Sequence, residues 1–161
     1  MSTSFFRELY KKEVGVNPHE LLELFAAKVT QDMNETLTKP FSATKISDAL
    51  FQIGPLKAPG PDGFPARFYQ RNWAVLKDYV TRGVLDFFER GVLPEGTNDT
   101  VIVLIPKGKN PQTLKDYRPI SLCNVIYKVV SKCLVNRLRP MLDEIISKTQ
   151  SAFISGRLIT D

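Results

Sequence analysis

Cations crowd one short stretch. Lys107, Lys109 and Arg118 lie within TVIVLIPKGKNPQTLKDYRPISL, which runs from Thr100 to Leu122. A lysine offers a compact point charge, and an arginine a planar fork that can hold two phosphate oxygens. Together they could clamp a phosphate. The alternative is a solvated loop with ordinary surface lysines. The surroundings predict how they are held. Val101–Ile105 is a five-residue, mostly β-branched run that suits a strand buried on both faces. Pro106 stops it, and Lys107-Gly108-Lys109-Asn110-Pro111 reads as a charged loop tip. Arg118 precedes a proline, which pushes it toward extended backbone and a returning strand. The expectation is a β-hairpin with the three cations at or near its tip.

A second candidate is Lys57, at the head of Lys57-Ala58-Pro59-Gly60-Pro61-Asp62-Gly63. So many prolines and glycines predict a rigid loop. It can be a structural crossover, or a place where Lys57 and backbone amides approach a phosphate. It is not a nucleotide-binding P-loop, because no Gly-Lys-Ser/Thr follows. Other chemistry is thin. His19 is the single histidine, so Cys and His cannot assemble a zinc cluster. Asp143 and Glu144 are adjacent on an expected helix and point different ways. No catalytic triad and no paired general acid and base can be picked out. Cys123 and Cys133 are expected on one helix, about 15 Å apart, as free thiols of a reducing compartment.

Charge is divided unevenly along the 161 residues. Positions 1–100 hold 12 Lys+Arg against 13 Asp+Glu, whereas 101–161 hold 10 against 4. A concentrated basic surface favours nucleic acid or another polyanion. No run of 18 apolar residues is present, so no membrane span is expected, and MSTSFFRELYKKEVG lacks the apolar core of a signal peptide.

The elements that must position these residues are mostly helices. Phe5, Phe6, Leu9 and Tyr10 form one apolar helical turn. From Pro18, residues Leu21, Leu22, Leu24, Phe25, Val29, Met33 and Leu37 predict one helix closed by Lys39-Pro40. Ser42 is the expected N-cap of the next, with Ile46, Ala49, Leu50 and Ile53 inward and Gly54-Pro55 as its end. A long helix is expected from Ala66 to Arg90, stopped by Gly91, with Trp73 in the core rather than serving as a base-stacking platform. After the hairpin Ser121 is the expected cap of a helix burying Val125, Ile126, Val129, Val130, Cys133, Leu134 and Leu138. Lys128, Lys132, Arg137 and Arg139 occupy its other side, as a solvated face or as a track for a nucleic-acid backbone. Pro140 ends it.

The stretches IVLIPKGKNP and YRPISLCNVIYKVVSKCLVNRL resemble the fingers region of reverse transcriptases of non-LTR (LINE-class) retrotransposons, the plant version most closely. IGPLKAPGPDGFPARFYQRNW, from Ile53, is similar to the N-terminal fingers motif of that family, and QSAFISGRLITD, from Gln150, to the segment before its palm domain. The resemblance runs from about residue 41 to the end, with 1–40 as a helical extension or linker. Lys45 stands where the family usually has an acid. The resemblance implies an α+β fold, mostly helical with a small antiparallel hairpin, as a partial fingers subdomain of a right-hand polymerase. It implies an RNA-directed DNA polymerase whose intact form uses Mg2+, an RNA template, a DNA primer and dNTPs. Lys107 and Arg118 match the two cations that grip the incoming triphosphate. Lys57, Lys109 and Arg157 match positions near template or backbone, Arg157 and Gln150 in a positioning role. The family's metal-binding palm aspartates are not among these 161 residues, and Asp161 does not match one, so palm and thumb are expected to be missing and the fragment to hold no metal and lack activity alone. A non-catalytic RNA-binding module and a structural remnant of a degenerate element are the alternatives. The nucleus is implied by the family's copying into chromosomal DNA, the cytoplasm remaining open.

Overall fold

The computed structural model describes residues 2–11, 15, 18–23, 26–150, 154, 156 and 157. The chain forms α1 (Ser2–Leu9), α2 (His19–Leu22), α3 (Gln31–Thr38), α4 (Ala43–Phe51), α5 (Ala66–Arg71) and α6 (Trp73–Arg90), then the antiparallel pair β1 (Thr100–Pro106) and β2 (Tyr117–Cys123), then α7 (Val125–Leu138) and α8 (Leu142–Ile145). Among the described residues this is the expected α+β arrangement, mostly helical with one two-stranded sheet.

Two compact units emerge. The smaller comprises 1–27 and 102–120; the larger comprises 28–101 and 121–161. The apolar core belongs to the larger. Ile46, Ala49 and Leu50 of α4, Ala66 and Tyr69 of α5, Val80 and Val84 of α6, and Val125, Val129, Val130 and Cys133 of α7 form one buried cluster. The helical spacing of these residues turns one face of each helix inward, and that burial is the main drive for assembly. In the smaller unit Phe6 and Tyr10 of the N-terminal segment line a depression with Ile102 and Leu104 of β1.

Several expectations held. Ser42 caps α4, its side chain accepting the Lys45 N–H at 3.4 Å. Gly91 ends α6 in the left-handed conformation, φ 72°, which a residue with a Cβ adopts only at a cost. Trp73 packs partly buried against the core, edge-on to Phe51.

Others are corrected. The single helix expected over 18–39 is two, because Thr30 acts as a second N-cap, accepting the Met33 N–H at 3.2 Å. Leu24 and Phe25, assigned to that helix, lie outside the described residues, as does Asp161. The long helix breaks at Asn72, whose side-chain amide donates to Phe68 O at 2.8 Å and whose backbone leaves the helical region, φ −101° and ψ 21°. Val101–Ile105 is not buried on both faces: Val101, Ile102 and Ile105 are 44–48% exposed, since a two-stranded ribbon has no second layer of its own. Ser121 and Cys123 belong to β2, so Asn124, not Ser121, precedes α7, and the two cysteines are on different elements; both are free thiols. Leu134 and Leu138 are 48% and 41% exposed, outside the buried stripe of α7.

Candidate nucleic-acid interface

The hairpin carries three of the candidate cations. Its register follows from its two ends. The Lys107 N–H donates to Asp116 O at 2.8 Å, and Thr100 Oγ1 lies 3.6 Å from Cys123 Sγ. This pairing sets Ile105 opposite Arg118 and leaves Pro106 and Pro119 at non-hydrogen-bonded positions, where neither needs an N–H. Because side chains alternate across a strand, Lys107, two residues beyond Ile105, shares a face of the ribbon with Arg118. Such diagonal neighbours have backbones about 7–8 Å apart, within reach of one polyphosphate for two long side chains.

The tip is ordered by its own hydrogen bonds. Asp116, in the 3-10 turn Leu114–Asp116, accepts the backbone N–H groups of Gln112 and Thr113 and the Thr113 hydroxyl, at 2.8–3.1 Å. Those bonds from Thr113 and Gln112, with the nearby Lys107 ammonium, hold its carboxyl below the usual range. Lys107 Nζ donates to Lys115 O at 2.7 Å, using one of its three protons. Arg118 and Lys109 are exposed, and neither side chain forms a hydrogen bond or ion pair with a described residue. The loop is therefore a prepared scaffold with open positive charge.

Lys57 belongs to the larger unit. Its side chain is exposed and its stem lies along Gly54. The loop beside it is rigid for reasons that the sequence only partly announces. Gly60 abuts the backbone of Cys123 and Asn124 so closely that a Cβ there would sit 2.2 Å from Asn124 Oδ1. Asn124, 6% exposed, accepts the Asp62 N–H at 3.2 Å and donates to Gly96 O at 3.0 Å. Lys128 Nζ reaches Ala58 O at 2.7 Å. Asp62 accepts the Phe64 N–H; burial and the Asp62 charge push Tyr69 up to about 12. One buried amide thus ties three segments together. Asn124 was not singled out from sequence; the signal was a polar residue set directly before an apolar helical run.

Arg157 turns inward on its own segment. Its guanidinium donates to the carbonyls of Ser147, Gln150 (2.9 Å), Ile146 and Asp143, and to the Asp143 carboxylate at 3.2 Å, with its side chain only 15% exposed. Its two terminal nitrogens are spent on four carbonyls in and after α8 and on the Asp143 carboxylate. The basic side of α7 is likewise partly committed. Lys128 holds the Ala58 carbonyl, and Arg137 donates to Leu37 O at 2.8 Å while lying 3.3 Å over the Phe41 ring. So Lys107, Lys109 and Arg118 are brought together on the ribbon, while Lys57 and Arg157 occupy separate places in the larger unit.

The described residues contain no group of three His, Cys, Asp or Glu that could hold a metal ion. Asp143 is engaged by Arg157 and Asp116 by its own loop, so the donor set does not fit a divalent-cation centre. No helix among the described residues is long and apolar enough to cross a membrane.

The chain is 32% identical over 160 residues to the Transposon TX1 uncharacterized 149 kDa protein of Xenopus laevis; the alignment takes in 98% of this chain and 12% of that protein. The family described as reverse transcriptase (RNA-dependent DNA polymerase) matches residues 105–161, beginning within β1 and including the ribbon's tip, β2 and α7. By these two matches the chain is similar to a transposon protein along nearly its whole length, and to reverse transcriptases from the cationic hairpin onward.

Proposed function

We propose that the chain is the fingers portion of an RNA-directed DNA polymerase of a non-LTR retrotransposon, in which Lys107 and Arg118 hold the triphosphate of the incoming nucleotide. The observation that carries this is their shared face on the ribbon, with Arg118 unpartnered and the tip ordered by Asp116. Positive charge held in place before the substrate arrives stabilises the charge that develops on phosphoryl oxygens. The family match that begins within β1 supports the same reading. Lys57 and Lys109 are assigned to template or backbone contact, and Arg157 to ordering the segment after α8. The plant-type resemblance rests on the wording of the motifs alone, the matched relative being amphibian. The RNA template, DNA primer and nucleotide are partners of the whole polymerase, and a divalent metal belongs to carboxylates outside the set described here.

The test has two parts. The 161-residue chain alone gives no magnesium-dependent primer extension. In a polymerase that carries this segment together with the palm aspartates, Lys107→Ala or Arg118→Ala lowers kcat/KM for dNTP by about a hundredfold or more, as loss of one charge-stabilising donor does. Primer extension by the short chain that survives both substitutions would sink the proposal, as would variants of the larger polymerase with unaltered nucleotide use.

A further inference from the structure

A second cationic feature lies in the larger unit, in a cavity of about 360 Å3 where the segment joining α3 to α4 meets α7. Lys39, Ser42, Lys45, Phe41, Cys133 and Arg137 are among its lining residues. Three of these are cations, and no Asp or Glu lines the cavity. The cavity also lies at the N-terminal end of the nine-residue α4, where the helix dipole adds positive potential. Lys39 and Lys45 are exposed and form no ion pair with a described residue.

Arg137 gives the cavity its character. It is partly withdrawn from water without a carboxylate partner among the described residues, and that withdrawal lowers its pKa. With a neutral carbonyl and a ring as its neighbours, the guanidinium keeps its charge and further N–H donors for an anion. Its place is fixed by the Leu37 carbonyl and by Phe41, whose ring stacks on Phe88 at 4.0 Å. Arg137 and Phe88 occupy the two faces of Phe41, so that ring cannot stack on a base. What the cavity offers a ligand is therefore charge, not base recognition.

We propose that this cavity is a phosphate-binding subsite that takes the backbone phosphates of a polynucleotide without regard to base sequence. The proposal rests on the reading of the chain as a nucleic-acid-binding protein. Its volume is at the small end of ligand sites, suited to a sugar-phosphate unit rather than to a large molecule.

The test is binding of a short fluorescein-labelled single-stranded RNA to the 161-residue chain between about 50 and 200 mM salt. The double variant K39E/K45E alters two exposed side chains, and circular dichroism verifies its fold. It is expected to bind at least tenfold more weakly, with a salt slope shallower by about 1.4, that is about 0.7 for each of two phosphates released from contact. K77E, on α6 and away from the cavity, keeps the wild-type slope. Arg137→Lys keeps the charge and loses the fork, so affinity falls with the slope preserved. A K39E/K45E slope equal to wild type overturns the subsite but leaves the reading of Lys107 and Arg118, which is judged by nucleotide use. If inorganic phosphate raises the melting temperature of wild type but not of K39E/K45E, while RNA binding ignores both lysines, the site serves free phosphate and the polynucleotide assignment is overturned. Absence of salt-dependent RNA binding by wild type overturns the subsite and the nucleic-acid reading together.

Discussion

Replacing Gly60 by alanine is the most severe single test of how this molecule is held together. The loop Ala58–Gly63 approaches the β2–α7 junction at Gly60 so closely that the new methyl would lie 2.2 Å from Asn124 Oδ1, 2.3 Å from Asn124 N and 2.5 Å from the Cys123 carbonyl carbon. Ordinary contact begins near 3.4 Å, so the two segments must part by about an ångström, and two of the three opposing atoms are backbone that cannot rotate away. Parting them breaks the Asp62 N–H bond to Asn124 and strains the bond from Asn124 to Gly96 O. Overpacking of this kind costs about 1–3 kcal/mol, and a buried amide left unsatisfied about 1–3 more. The sum, about 2–6 kcal/mol, is a large part of the 5–15 kcal/mol typical of a domain. Urea unfolding followed by circular dichroism should show the midpoint lowered by about 1–3 M, for a slope of about 2 kcal/mol/M. Gly108→Ala is the control, since a Cβ there meets nothing within 4 Å, and it should change stability by less than about 0.5 kcal/mol. A Gly60→Ala chain as stable as that control would refute the idea that close approach, locked by Asn124, sets the position of this loop.

Two further outcomes follow from the same geometry. Tyr69 is raised from 10 to about 12 by burial and by the Asp62 charge. Its neutral form is favoured in the folded state, so its contribution, about 2–3 kcal/mol at most, is fully present below pH 10 and is lost as pH rises from 10 to 12. Urea midpoints at pH 8 and pH 11 should diverge less for Tyr69→Phe than for wild type, and equal divergence would dismiss the role of this hydroxyl. Arg157→Ala should lower stability by about 1–3 kcal/mol through the carbonyls it leaves unpaired, with RNA affinity and its salt slope unchanged; a shallower slope with unchanged melting would make Arg157 a phosphate contact instead.

The sequence alone determined the helical majority and the single hairpin. Apolar residues at helical spacing demand a common buried side, and Pro, Gly and β-branched residues mark where a chain turns or extends. Ser42 as a cap, Gly91 as a stop and the basic tip around Lys107, Lys109 and Arg118 were legible because each is a local effect of a side chain on its own backbone. The resemblance to reverse transcriptases was equally readable there. Where a local reading went astray, a competing local bond was often responsible: Thr30 and Asn72 each offered the backbone an alternative to continuing a helix.

Tertiary structure decided what the polar residues do. Asn124 looks like any residue before a helix, yet it is buried and joins the Gly60 loop to the turn at Gly96, partners 62 and 28 residues away along the chain. Arg137, one of four cations on a nominally solvated face, is held by a carbonyl 100 residues distant and by an aromatic ring, which leaves a cationic cavity beside it. Arg157, matched to a segment with a positioning role, spends its donors on the carbonyls around it. Spacing reports which face a side chain occupies. It does not report which distant carbonyl or ring will meet that face, because that partner is supplied only when the helices close on a shared core.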